Sequence, residues 1–300
     1  MRGATLAARL RKNRFFYLML LPIAAYFIVF NYYPLALGIY NSLRKVKLLG
    51  GSQFIGLTNY RDILAHPLYR QAFVNTLIVG ALSFALTFCV ALLLALMINE
   101  IRHKPLKSAV QSVTYLPYLL SWAVVGGIWM SILSPTGLVN GVMRSFAGAD
   151  FRPTIFMAEP RLARAIMIVS GAWKNAGYYA VLLLAGIVSI DPSLYEAAAI
   201  DGASRLKQLI LITVPNIVPT IKVIFMLGVM GLLRNFDQIY VMGNSAINDK
   251  VRNLLALIYE QGIAKFQISP ATAAATVVLL ATLLLSAAVR KLIRYDETYE

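Results

Sequence analysis

Four stretches of this 300-residue chain contain no Asp, Glu, Lys or Arg: 15–43, 71–99, 108–143 and 266–289. An α-helix of about 20 apolar residues crosses the hydrocarbon layer of a bilayer, so each stretch is long enough to span one. A soluble helix of that length would carry a charged face at helical period instead. Two further apolar stretches hold isolated charges. Lys174 interrupts the stretch at 162–190, and Lys222 and Arg234 bracket eleven uncharged residues within 217–241. The pattern predicts an all-α membrane protein in which residues 1–300 form one transmembrane domain. Its six transmembrane helices are expected at 15–40, 71–99, 109–133, 162–190, 217–241 and 266–289. The segments between them carry turn chemistry, at Leu49-Gly50-Gly51-Ser52, Ser134-Pro135-Thr136-Gly137 and Met242-Gly243-Asn244-Ser245. They are short, which predicts no large extramembrane domain.

Composition agrees. Hydrophobic residues make up 59% of the chain and charged residues 14%, against roughly a quarter charged in soluble domains. A basic lead (Arg9, Arg11, Lys12, Arg14) precedes the first apolar stretch, as in a secretion signal. That stretch is longer than the ~7–15 residues of a signal's apolar region, so an uncleaved first span is expected. The single cysteine, Cys89, excludes an intrachain disulfide and a cysteine metal site. His66 and His103 lie in separate polar segments, so no metal site is expected. The net charge of +15 suits basic flanks set against anionic lipid. It also suits attraction of an anionic substrate. No long basic stripe with interleaved aromatics points to nucleic acid.

Six spans put both termini on one face. With the N-terminus inside, the inner segments carry 13 Lys and Arg and the outer ones 11. The short segments decide orientation, and five basic groups lie in the first 14 residues and three in 100–108. Both termini are therefore expected in the cytoplasm.

The inner segment 191–216 is the most informative. Asp191 suits an N-cap and Pro192 the first helical position, and Ser193 and Glu196 have capping-box spacing. Ala197, Ala198 and Ala199 favour helix, and Gly202 can end it. A short, small-residue helix of about three turns is predicted just outside the bilayer. A second helical stretch at 205–213 leads through Pro215 and Pro219, which disfavour one continuous helix into the fifth span. A bare connector is usually about 4–6 residues and more polar, so a docking element fits better.

The run Glu196-Ala197-Ala198-Ala199-Ile200-Asp201-Gly202-Ala203, continuing to Pro215 and Pro219, resembles the EAA loop of bacterial binding-protein-dependent ABC transporter permeases. Other matching features are Tyr33-Pro34, Phe54-Ile55-Gly56-Leu57-Thr58-Asn59-Tyr60, Tyr115-Leu116-Pro117 and Phe236-Asp237-Gln238-Ile239-Tyr240. Together they resemble the carbohydrate-importing branch related to maltose, oligosaccharide and polysaccharide permeases. The chain departs from some members in lacking a large outer domain and additional N-terminal helices, so a compact six-span core is expected. The resemblance implies a MetI-like type I importer fold in the bacterial cytoplasmic (inner) membrane. It makes Glu196, Ala197, Ala198, Asp201, Gly202, Ala203 and Pro215 the ATPase-coupling residues. Glu196 would pair with a basic group of a nucleotide-binding subunit, and Gly202 would permit the turn that follows. The implied partners are a second homologous permease subunit, a dimer of ATP-binding cassette subunits, an extracytoplasmic substrate-binding protein and membrane lipid. The chain has no G-x-x-x-x-G-K-[ST] run, so it is expected to be no enzyme and to hold no cofactor; ATP and Mg would bind the partner ATPase subunits.

Polar groups inside spans are costly and usually face a cavity or a partner. Trp173, Lys174, Asn175, Tyr178 and Tyr179 form a polar-aromatic cluster in the fourth span. It reads equally as a sugar-contacting wall or as helix packing with Lys174 satisfied internally. Arg234, Asn235 and Asp237 near the end of the fifth span either line a vestibule or pair along the helix. If Lys174 and Arg234 both face the pathway, an acidic substrate such as a uronic-acid oligomer follows. The competing function is an ion-gradient-driven secondary transporter, which should show intramembrane carboxylates and repeated broken helices; these spans have almost no acids.

Overall fold

The computed structural model describes residues 13–47, 50–148 and 151–293. Arg9, Arg11, Lys12 and Leu49 lie outside the described residues. The chain divides into two compact units, one of residues 1–65 with 258–277, the other of 66–257 with 278–300.

The first unit opens with α1 (Arg14–Ser42), whose large apolar side chains are exposed along its length. A wide helical turn at Ile28–Tyr32 precedes Pro34. Proline lacks an N–H and its ring crowds the carbonyl four residues back, so a locally wider turn accommodates it. After α1, β1 (Arg44–Lys45) pairs antiparallel with β2 (Gln53–Phe54), and α2 (Thr58–Ala65) follows. Buried Asn59 ties these together by donating from Nδ2 to the carbonyls of Ser42 (2.7 Å) and Arg44 (3.0 Å).

The second unit begins with α3 (Pro67–Glu100), capped by His66 Nδ1, which accepts the Leu68 N–H at 3.2 Å. It continues through α4 (Lys104–Leu119), α5 (Trp122–Ile132), α6 (Leu138–Ala147), α7 (Pro160–Val188) and α8 (Pro192–Ile200). Then come α9 (Arg205–Asn216), α10 (Val218–Leu232), α11 (Asp237–Met242) and α12 (Asn248–Val251). The chain closes with α13 (Leu254–Ala264) and α14 (Ile268–Ile293).

α7 is the central element of this unit. Its Ala180, Leu183, Leu184 and Ile187 pack with Ala91, Ala95 and Ile98 of α3 and with Ile217 and Ile224. Nearer its N-terminus, Ala163 and Met167 pack with Val79, Ile239, Met242 and Val251. Small residues let the backbones approach, as expected where lipid offers no hydrophobic contrast to drive packing. A Cβ on Gly177 would fall 1.9 Å from the Thr114 carbonyl oxygen of α4.

Two of the expected spans are not single helices. The third, 109–133, breaks into α4 and α5, which meet at 100°. Pro117 removes an N–H near the end of α4, Leu120 and Ser121 are extended, and Ser121 restarts the helix by accepting the Val124 N–H. The fifth, 217–241, stops at Leu232 and resumes at Asp237. α9 and α10 meet at 60°, and α7 and α8 at 67°. By length and composition, α1, α3 and α14 each suffice to cross a bilayer, and the described helices supply up to six spans if each bent pair is one.

Replacing Gly177 by valine is expected to cost at least ~1–3 kcal/mol through overpacking against backbone that cannot yield. Gly127→Ala, where nothing lies within 4 Å, should be neutral. Melting temperatures of the two variants in detergent check this; equal values would show that the α4–α7 approach is not tight.

Candidate functional site

Two features concentrate unusual chemistry: the segment from α8 to α9, and a cleft beside α7.

α8 is built by its caps. The Asp191 carboxylate accepts the Ser193 N–H at 2.9 Å, which holds its carboxyl below the usual carboxylate range. The cap is therefore charged at neutral pH, and its support fades only as pH falls through that lowered value. At the other end Gly202 has φ +73°, with its N–H donating to Ala199 O (3.1 Å) and the Ala203 N–H to Ala198 O (2.8 Å). This paired closure needs a left-handed residue, which glycine supplies without strain. No side chain of α8 is buried: Glu196, Ala197, Asp201 and Gly202 are exposed, Ala198 and Ala203 half-buried, and Ile200 is 87% exposed. The helix is held from one side, where the Tyr195 hydroxyl meets Thr213 Oγ1 at 2.9 Å. Gln208 Nε2 also donates to Ala203 O at 3.1 Å. Pro215 lies exposed on α9, after a wide turn at Leu209–Thr213. A rigidly capped, apolar, uncovered helix is a docking element in form.

The cleft encloses about 300 Å³. Asn175 and Tyr179 of α7 line it, with Gly171 one turn earlier, and Arg234, Asn235 and Asp237 line it from the break after α10. Gly80, Gly171, Gly228 and Gly231 keep its walls free of side chains, and Phe84, Trp122 and Phe236 add aromatic surface. Arg234 and Asp237 are both exposed and form no ion pair with each other among the described residues, so the pairing along the helix is not formed. Aromatic faces, amides and a guanidinium around a small open volume suit a polyhydroxylated ligand bearing a carboxylate.

Trp173, Lys174 and Tyr178 are not part of this wall. Trp173 is exposed and meets Trp129 edge-on, and Tyr178 stacks on Tyr118 with ring centroids 4.5 Å apart. Lys174 is only 7% exposed, and its Nζ donates to the carbonyls of Pro117 (3.2 Å), Tyr118 (2.9 Å) and Leu120 (2.5 Å). The Tyr118 and Leu120 carbonyls are freed where α4 ends, and the Pro117 carbonyl also accepts the Leu120 N–H at 3.3 Å, so the ammonium closes the break between α4 and α5. This is the internal-satisfaction reading of Lys174.

Other side chains that frame the cleft carry no charge to mark them in the sequence. Gln238 is fully buried and donates from Nε2 to Met167 O (2.7 Å) and Ser170 Oγ (2.9 Å), while its Oε1 accepts from Asn235 Nδ2 (2.8 Å). Asn253 Nδ2 donates to Asn235 O. Asn75 donates to Asp249 O and Arg252 O and accepts from Arg164, which fastens the segment after α11 to α3 and α7. For Asn75 the signal was an amide inside an uncharged apolar stretch, where an unpaired polar group would be costly; Asn253, beside Arg252, carried none.

Comparisons with known proteins agree in direction. The family model described as "Binding-protein-dependent transport system inner membrane component" matches residues 88–294. The chain is 33% identical over 273 residues to the polygalacturonan/rhamnogalacturonan transport system permease protein YteP of Bacillus subtilis, covering 89% of this chain and 84% of that one. It is 29% identical to the arabinooligosaccharides transport system permease protein AraP of Bacillus subtilis, covering 90% and 85%. A chain in the crystal structure of a bacterial ABC transporter involved in the import of the acidic polysaccharide alginate superposes with TM-score 0.87 at 32% identity, covering 98% of this chain and 99% of that one. A chain of a bacterial alginate ABC transporter in complex with alginate pentasaccharide-bound periplasmic protein gives 0.86 at 31%, covering 98% of each.

Lys174→Met is expected to strand buried carbonyls at a cost of at least ~1–3 kcal/mol, with Lys174→Arg recovering part of it. A melting temperature for Lys174→Met equal to wild type would exclude the capping role.

Proposed function

The chain belongs to the family of binding-protein-dependent transport system inner membrane components, and from that premise we propose that it is the permease subunit of a bacterial ABC importer, forming half of the pathway for an acidic oligosaccharide. The observation that carries the reading is the pairing of an uncovered, doubly capped α8 with a cleft beside the same long helix, α7. α8 docks in a groove of an ATP-binding cassette subunit, with Glu196 meeting a basic group there. Asp191 and Gly202 keep its ends closed, so that a push from the partner moves α8 as a rod. ATP and Mg belong to that partner, because this chain has no phosphate-binding loop. An extracytoplasmic binding protein delivers the sugar, and a second, homologous permease subunit completes the pathway. The α8 face and both termini lie in the cytoplasm.

In the cleft, Phe84, Trp122 and Tyr179 offer faces to sugar rings, Asn175 and Asn235 meet hydroxyls, and Arg234 meets a carboxylate. Lys174 takes no part, since its ammonium is engaged at the break. An acidic substrate therefore rests on Arg234 and on the substrates for which similar transporters are named, polygalacturonan, rhamnogalacturonan and alginate. A gradient-driven transporter is disfavoured, because Asp237 is the one carboxylate lining the cleft.

The reading is tested in liposomes holding the assembled transporter, with its binding protein and a panel of uronate and neutral oligosaccharides of equal length. ATP-dependent uptake of uronate oligomers is expected, and uptake of neutral sugars alone would overturn the acidic substrate. Arg234→Gln should lower uronate uptake by about tenfold, as expected for loss of a charge-assisted hydrogen bond of ~1.5 kcal/mol. Gly202→Val, or deletion of residues 194–203, should release the ATPase subunit during purification. Its retention by the deletion variant would sink the docking role of α8.

A further inference from the structure

α6 (Leu138–Ala147) is amphipathic, and its apolar side faces outward. Leu138, Val142 and Phe146, four residues apart, form one stripe and are 68%, 50% and 88% exposed, with Met143 beside them at 39%. The helix is not loose. Asn140 on the opposite side is 1% exposed and donates from Nδ2 to Ser134 O and Thr154 O, both at 2.9 Å. Its Oδ1 accepts the Thr154 N–H at 2.8 Å. Gly137 closes the preceding turn by donating to Ser134 O (2.9 Å), and Gly148, at φ +80°, ends the helix by donating to Arg144 O. Three hydrogen bonds from one buried amide therefore fix which side of the helix faces away.

We propose that α6 lies in the lipid interface of the membrane, with the Leu138–Val142–Phe146 stripe among the upper acyl chains and Arg144 at the anionic headgroups. Position along the chain supports this. α6 starts six residues after the last residue of α5, an apolar helix of a membrane-spanning pair, so it begins at the bilayer surface. Val124 and Ile128 of α5 are likewise exposed apolar side chains. Charge is complementary to anionic lipid: Arg144 in the last turn lies on the side of α6 away from the stripe, where an interfacial helix meets headgroups, and it and Arg152 are both exposed.

The test places a fluorophore at Phe146→Cys in a Cys89→Ala background, within the assembled transporter in nanodiscs, with partner cysteines removed. Val142→Cys serves as a second reporter on the stripe and Arg144→Cys, on the side of the helix away from it, as the control. Lipids carrying a nitroxide high on the acyl chain should quench the labels at 146 and 142 by about twofold or more, while aqueous iodide quenches only the label at 144. Quenching of 146 and 142 by iodide and not by lipid would overturn the proposal. So would shielding of these positions that develops only when the binding protein is added, which would assign the stripe to a protein partner.

Discussion

Hydrocarbon offers no hydrogen-bond partner, so every carbonyl and N–H freed where a membrane helix breaks must be met from inside the chain. Much of this structure follows from that constraint. The 100° break between α4 and α5 leaves carbonyls at Pro117, Tyr118 and Leu120, and a single ammonium, Lys174, meets all three. The break after α10 is held by amides instead, with Asn253 on the Asn235 carbonyl and Gln238 on Met167 and Ser170. The carbonyls of Asp249, Lys250 and Arg252 are met by Gln71, Asn75 and Arg164. Each of these breaks is thus tied to α3 or α7.

α7 links the two functional features. Gly171, Asn175 and Tyr179 recur at four-residue spacing on its cleft side. The neighbouring side presents Lys174 to the α4–α5 break, Gly177 to the Thr114 backbone and Tyr178 to the Tyr118 ring. At its C-terminal end the chain turns 67° into α8. A displacement of α8 is therefore delivered to a helix packed closely against α3 and α4, whose close glycine contacts leave little slack. α8, with none of its side chains buried, is held mainly by its own caps.

The spans were legible from uncharged run length, because the cost of burying charge in lipid is paid residue by residue along the chain. α8 was legible because caps are local: Asp191, Pro192 and Gly202 act on backbone groups a few residues away. The cleft was legible in part. Asn175, Tyr179, Arg234, Asn235 and Asp237 line one cleft, whereas Trp173, Lys174 and Tyr178 share their stretch of sequence but do not line it. Asn75 gave only the weak signal of an amide among apolar neighbours, and Asn253, beside Arg252, gave none.

By itself the sequence determined that this chain is a helical membrane protein with a short capped helix between its fourth and fifth apolar stretches, since both properties depend on contiguous residues. It could not decide that the third and fifth apolar stretches break, nor that Lys174 serves the break while Asn175, one residue on, serves the cleft. Adjacent helical positions point about 100° apart, and which direction meets a cavity and which meets stranded carbonyls is set by neighbours far away in the chain.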